Sequence, residues 1–144
     1  MAQTRHDAVL GTLALQEGLN WYEGQQATDS ETFKVYVSLD AFPGEDEAFA
    51  TARTVFPTLV RAIRNAKEFA RDRLLGLKNT TWLDSGETPI SSEVFLKTLR
   101  LQSLAIYVDG DSEFNFTCGN LFAGHIVLVS WNKTEGFSDA IIAG

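Results

Sequence analysis

His125 and Cys118 are the residues of this sequence best suited to nucleophilic and general-base chemistry near neutral pH. Cys118 precedes His125 by seven residues across a predicted turn, so the two side chains could lie on facing strands. A small hydrolase that uses His125 with Cys118, or with a nearby carboxylate, is therefore one interpretation. The spacing provides no third residue to orient the pair, and we favour a structural His125, hydrogen-bonded at the end of a strand.

Three carboxylates, those of Asp109, Asp111 and Glu113, lie within five residues, as they do in calcium-binding loops. An EF-hand loop requires glycine at its sixth position and glutamate at its twelfth, and here those positions hold Phe114 and Asn120. The spacing therefore indicates a solvated hairpin tip. The paired ligand spacings of zinc sites and the glycine loops of phosphate sites are also missing, so we predict no metal and no cofactor.

The charge balance restricts the partners of this protein. Twelve basic and 19 acidic residues give a formal net charge of −7. Such a charge repels nucleic acids and anionic membranes and favours a basic protein surface. The sequence has one cysteine, no apolar stretch of the ~20 residues that a membrane helix needs, and no apolar secretory segment at its start. These features predict a cytoplasmic protein.

One stripe of basic residues departs from this acidic character. Arg61, Arg64, Lys67 and Arg71 recur every three or four residues, so they lie on one face of a predicted helix. A solvated outer helix face is the favoured interpretation, and a docking site for an acidic partner is the alternative.

The elements that must position these residues follow from hydrophobic periodicity. Residues 8–40 alternate with the period of strands, whereas residues 45–75 have apolar residues every three or four positions, as in helices. Pro57 predicts either two helices or one strongly kinked helix. A short helix capped by Ser91 or Ser92 follows, and strands return after Arg100 with a hairpin signal at Asp109-Gly110.

This order of elements predicts an α+β fold for a single domain over residues 1–144, with residues 1–7 as a loose N-terminal tail. We expect a mostly antiparallel β-sheet with two or three α-helices inserted between N-terminal and C-terminal strand groups, and with the helices on one face. Residues 126–131 are nearly all apolar, which predicts a central strand covered on both faces.

Six short segments, in order, resemble a bacterial uncharacterised family, domain of unknown function 2262. They are Leu10-Gly11-Thr12-Leu13, Leu19-Asn20-Trp21-Tyr22-Glu23-Gly24, Leu77-Lys78-Asn79 with Trp82-Leu83, Asp109-Gly110 with Glu113-Phe114, Asn120 to His125, and Ala140 to Gly144. The family pattern has an aromatic residue at the position of Ala123 and an acidic turn at Cys118-Gly119, and these departures weaken any site built around that turn. The resemblance implies a bacterial origin and a common fold, and it implies no reaction.

The favoured function is a non-enzymatic protein-binding module for a basic partner, by analogy with immunity proteins that neutralise a toxin. Its partner site is expected at the turns of the sheet, formed by Trp21, Tyr22, Glu23, Asp109, Asp111 and Glu113. The alternatives are the hydrolase described above and a small-molecule pocket lined by Trp21, Trp82 or Trp131.

Overall fold

A computed structural model describes residues 3–144, and its framework is one eight-stranded sheet in which the strands follow chain order from edge to edge. The strands are β1 (Thr4–Asp7), β2 (Gly11–Gln16), β3 (Trp21–Ala27), β4 (Thr32–Ser38), β5 (Arg100–Ile106), β6 (Ser112–Thr117), β7 (Ile126–Asn132) and β8 (Gly136–Ala143). Three helices in this part of the chain connect β4 to β5, namely α1 (Glu45–Arg61), α2 (Ile63–Lys78) and α3 (Ser92–Thr98). The predicted α+β fold is confirmed.

Strands β4 and β5 are parallel, whereas the other neighbouring pairs within residues 3–144 are antiparallel. The chain leaves the end of β4, crosses through the helices and returns to the start of β5, which is the connection that parallel strands require. The last residues of β4 and β5 consequently lie at the same end of the sheet. Register places Trp21, Ser38, Ile106, Ser112 and Trp131 there, and we call it the carboxyl end of the sheet.

One face of the sheet is packed against the helices. Val35, Leu104, Phe114 and Val129 lie in one row across β4 to β7, and all four are fully buried. On the same face, the Tyr22 ring packs edge-on against Phe49 of α1 at 5.1 Å, and Phe137 stacks on Phe69 of α2 at 5.5 Å. The helices therefore cover one face of the sheet, as predicted, and the opposite face has no helix of the described chain over it.

The N-terminal segment corrects the expected loose tail. Residues 4–7 form β1, which pairs in antiparallel register with β2. Arg5 bonds to Glu45 of α1 at 3.0 Å, and Asp7 bonds to Arg53 at 2.8 Å. These ion pairs and the backbone hydrogen bonds to β2 hold the segment in place. Its sequence lacks the alternation of apolar residues by which a strand is predicted. Residues 1 and 2 lie outside the described residues.

The break in the helical region does not occur at Pro57. Pro57 lies inside α1, and the chain departs from helical geometry at Ala62, where φ is −96° and ψ is 3°. The region therefore forms two helices, but Pro57 does not begin the second one. The short third helix begins as predicted, because the Ser91 hydroxyl accepts the backbone N–H of Val94 at 3.2 Å.

Strand β7 was expected to be covered on both faces, and this expectation is wrong. Val127 and Val129 are fully buried against the helical layer, but Leu128 between them is partly exposed on the uncovered face. Covering two faces needs helices on both sides of a sheet, and all the helices of the described residues pack on one side. No helix in residues 3–144 has the length and apolar character required to cross a membrane.

Candidate functional site

The uncovered face of the sheet presents a row of carboxylates. Register aligns Glu23, Tyr36, Ala105 and Glu113 on neighbouring strands, and the row continues through β7 to Asp139 of β8. Glu23 and Glu113 are three strands apart, or about 14 Å at the usual strand spacing. Glu23 has Lys34 as its cationic neighbour at 3.4 Å. The row therefore spreads negative charge across an open face.

The aromatic ring of Tyr36 lies within this row, and the ring of Trp21 lies next to it. The rings of Trp21 and Tyr36 are 5.2 Å apart and tilted, and both residues are partly exposed. The indole N–H of Trp21 is buried and has no hydrogen-bond partner among residues 3–144. A buried indole N–H normally finds an acceptor, so this donor is an unsatisfied polar group at the uncovered face.

The turn between β5 and β6 lies at the carboxyl end of the sheet and joins these two strands. The backbone N–H of Tyr107 donates to the carbonyl of Asp111 at 2.7 Å, and Asp109 and Gly110 both have left-handed backbone angles, with φ of 63° and 80°. A methyl group at Gly110 would lie 2.9 Å from the Val55 side chain, so the turn packs closely on α1. Asp109 and Asp111 are exposed on this turn.

A cleft of about 350 Å³ opens beside the turn. Most of the side chains that line it can accept hydrogen bonds, and no lysine or arginine is among the described lining residues. The lining consists of Tyr107, Asp111, Ser112, Glu113, Ser130, Trp131, Asn132 and Ser138. Two carboxylates, three hydroxymethyl groups and two aromatic rings form a setting that suits a cationic group with several N–H donors.

The phenol of Tyr107 donates a hydrogen bond of 2.5 Å to Oε1 of Glu113. Burial, and then this bond and the charge of the carboxylate, raise the pKa of Tyr107 well above its usual range. Tyr107 is therefore a neutral donor at physiological pH, and it fixes the orientation of the Glu113 carboxylate at the cleft.

The structure brings together most of the partner residues expected from the sequence. Trp21, Asp109, Asp111 and Glu113 lie at or near the carboxyl end of the sheet, and Glu23 lies on the same face as Glu113.

Tyr22 does not belong to this surface. It is fully buried against α1, where its hydroxyl donates to Oε1 of Glu45 at 3.0 Å and accepts from Gln3 at 2.8 Å. Successive residues of a strand point to opposite faces, so Trp21 and Tyr22 cannot share one surface. The sequence interpretation missed Tyr36 and Tyr107. The alternation of β4 could have predicted that Tyr36 faces away from the core, since Tyr36 lies between the buried Val35 and Val37.

Cys118 and His125 are close together, but the thiol bonds to the backbone. The Sγ atom of Cys118 donates to the carbonyl of His125 at 3.0 Å, and Cys118 is buried. Burial raises the pKa of the Cys118 thiol, which disfavours the nucleophilic thiolate. The His125 ring packs edge-on against Trp82 at 5.7 Å. This geometry does not activate Cys118 as a nucleophile.

The three tryptophans lie in different parts of the fold. Trp82 packs against Phe122 and His125, Trp21 lies on the uncovered face, and Trp131 lines the cleft at the carboxyl end. Within residues 3–144, no group of three histidine, cysteine, aspartate or glutamate side chains is arranged to hold a metal ion.

Comparison with known proteins identifies a family. No curated protein and no solved structure matches the chain. The family model described as "Uncharacterized protein conserved in bacteria (DUF2262)" matches residues 7–142, a range that includes both strand groups and the helices between them. The chain therefore belongs to this uncharacterised bacterial family, as its short sequence segments indicated.

Proposed function

We propose that this protein is a non-enzymatic binding domain that holds a basic protein surface at the carboxyl end and on the uncovered face of its sheet. The observation that carries the proposal is the uncovered face, where a row of carboxylates lies beside partly exposed aromatic rings. Tryptophan, tyrosine and charged neighbours of this kind are common at the centres of protein interfaces.

The distribution of charge supports a basic partner. Residues 101–144 carry five acidic side chains and one basic side chain, Lys133. Asp109 and Asp111 form no ion pair within the described part of the chain. Unpaired, exposed carboxylates attract a cationic surface over long range and increase its rate of association.

The cleft beside the turn provides an anchor point for such a partner. A lysine or arginine side chain that enters it would meet the carboxylates of Asp111 and Glu113 and the rings of Tyr107 and Trp131. Tyr107 already orients Glu113, so little side-chain entropy is lost on binding. Neutralising a basic toxin, as immunity proteins do, is one use of this surface.

The test compares two charge-reversal variants of equal net charge. One changes Asp109, Asp111 and Glu113 to lysine, and the control changes Glu68, Asp72 and Asp84 to lysine in and after α2. Tagged wild-type protein is used to capture partners from a lysate of the source bacterium. A captured protein is then purified, and its Kd is measured with each variant at low and high salt.

We expect the first variant to weaken binding by at least about tenfold, and the control to change it much less. The association rate of the wild type should fall as salt increases. Equal Kd values for the two variants, or failure to capture any specific protein, would contradict the proposal. Tight binding to DNA at physiological salt would contradict the charge argument.

A further inference from the structure

A second cleft, of about 660 Å³, lies at the opposite end of the sheet from the carboxyl end. It is enclosed by the turn between β3 and β4 (28–31), the junction of α1 and α2 (60–67) and the helix α3 (93–97). Its volume is within the range of pockets that bind small molecules. The basic stripe predicted from the sequence contributes three of its residues, Arg61, Arg64 and Lys67.

The inner wall of this cleft is a buried ion pair. The Glu31 side chain is 4% exposed, and its Oε1 atom bonds to the ammonium group of Lys67. Its Oε2 atom accepts the backbone N–H of Leu101 at 3.2 Å. Both carboxylate oxygens of Glu31 are therefore occupied within the protein. The ammonium group of Lys67 has three donors, and the described residues accept one hydrogen bond from it.

The outer part of the cleft is cationic. Arg61 forms no ion pair with any residue from 3 to 144, and the contact between Arg64 and Glu68 is an exposed 3.7 Å pair. Exposed pairs of this kind contribute little stability, so a bound anion can replace Glu68 without much cost. Arg61 and Arg64 lie on either side of the break at Ala62, and both line the cleft.

Apolar side chains form the rest of the wall. Val60, Ile63 and Leu96 line the cleft and are partly buried. Three acidic residues also line it: Glu31 is paired with Lys67, Glu93 is paired with Lys97 at 3.1 Å, and Asp29 lies on the exposed turn. The cleft thus combines an apolar wall with two guanidinium groups, in a protein whose net charge is −7.

We propose that this cleft binds a small organic anion, in which a phosphate or carboxylate group is carried on an apolar body. The planar guanidinium groups of Arg61 and Arg64 match the geometry of both anions, and Lys67 adds a further donor. The apolar body would pack on Val60, Ile63 and Leu96. This site is separate from the carboxyl end of the sheet and does not depend on the proposed protein-binding function.

The experiment titrates the ¹⁵N-labelled protein with phenyl phosphate and follows the amide signals by NMR. Benzoate replaces the phosphate head by a carboxylate, benzyl alcohol removes the charge, and inorganic phosphate removes the apolar body. The variant Arg61→Gln/Arg64→Gln is compared with Arg73→Gln/Lys133→Gln, which loses the same charge at residues outside the cleft.

We expect saturable shifts at residues 28–31, 60–67 and 93–97 with phenyl phosphate, benzoate or both, and the better ligand identifies the head group. Inorganic phosphate and benzyl alcohol should bind much more weakly. The Arg61→Gln/Arg64→Gln variant should lose at least about tenfold in affinity, whereas the control should bind as the wild type does. Signals away from the cleft report whether each variant remains folded.

Three results would overturn this inference. The first is the absence of saturation by both phenyl phosphate and benzoate in the millimolar range. The second is equal affinity of the two double variants for the anions, and the third is equal affinity of the wild type for benzyl alcohol and the anions. Reversing the charges of Asp109, Asp111 and Glu113 should leave phenyl phosphate binding unchanged, which separates this site from the proposed protein interface.

Discussion

Tyr107 and Glu113 are joined by a hydrogen bond of 2.5 Å that spans the turn between β5 and β6. The bond connects the end of one strand to the start of the next, on the face that the helices leave uncovered. It therefore couples the protonation of a phenol to a carboxylate of the candidate interface.

The first prediction concerns this coupling. Glu113→Gln should lower the pKa of Tyr107, because the bond to the carboxylate and its negative charge both raise that pKa in the native protein. An ultraviolet titration of tyrosinate measures it, with Asp139→Asn as a control in the same row. An unchanged Tyr107 titration in Glu113→Gln would contradict the coupling.

The second prediction concerns stability at high pH. The pKa of Tyr107 is raised in the folded state, so the resulting stabilisation is present below the unfolded value of about 10 and is lost as the pH rises above it. Denaturant unfolding at a series of alkaline pH values should therefore show a steeper loss of stability for the wild type than for Tyr107→Phe. If stability falls equally steeply with pH in the two proteins, the pKa of Tyr107 is not raised in the folded state.

The third prediction concerns the buried pair of Glu31 and Lys67. Glu31→Ala removes both the partner of a largely buried ammonium group and the acceptor of the Leu101 N–H. We expect a loss of about 3 kcal/mol in the free energy of unfolding. Glu93→Ala, which breaks an exposed pair, should cost no more than about 0.5 kcal/mol. Similar losses for the two variants would show that burial does not strengthen the Glu31 interaction.

The fourth prediction concerns the turn at Gly110. Gly110→Ala introduces a methyl group 2.9 Å from Val55 at a residue with φ of 80°, so strain and overpacking should together cost about 2–4 kcal/mol. Gly86 has a similar φ of 83° but open space around it, and Gly86→Ala should cost about 1 kcal/mol. Chemical denaturation measures both. If Gly86→Ala is the more damaging change, the close packing of the turn on α1 is not important for stability.

The fifth prediction concerns Cys118. Its thiol is buried, donates to the His125 carbonyl and has a raised pKa, so it should react with a disulfide reagent far more slowly than a free cysteine. Unfolding with denaturant should restore ordinary reactivity. Rapid stoichiometric labelling of the native protein at neutral pH would contradict this prediction and support the hydrolase alternative.

Local patterns predicted the elements of this fold well. The alternation in residues 33–39 and the Asp109-Gly110 turn gave strands that the structure contains, and Ser91 caps the third helix as expected. These features depend on neighbouring residues and on backbone preferences, which a single sequence displays directly.

The missed features depend on partners that are distant in sequence. Tyr22 faces the core because it is in register with Val37 of β4, and the pattern around Trp21 and Tyr22 does not reveal which of the two points inward. The β1 strand has no apolar alternation and is held by its pairing with β2 and by ion pairs to α1.

The larger cleft was missed for the same reason. Its inner wall depends on a contact between Glu31 and Lys67, which are 36 residues apart. In the sequence, Lys67 is one member of a basic stripe on a predicted helix, and Glu31 lies in the region predicted to form strands. Tertiary structure alone gives these two residues a common role.

The parallel pairing of β4 with β5 determines the order in which this sheet can assemble. The other strand pairs join near neighbours in the chain, whereas Val35 meets Leu104 only after a loop of about 70 residues has closed. We therefore expect two hairpin units, residues 4–38 and 100–143, to form early and to join through the β4–β5 ladder in a late, slow folding step. Substitutions at this seam, such as Val35→Ala, should slow folding more than equivalent substitutions within either unit.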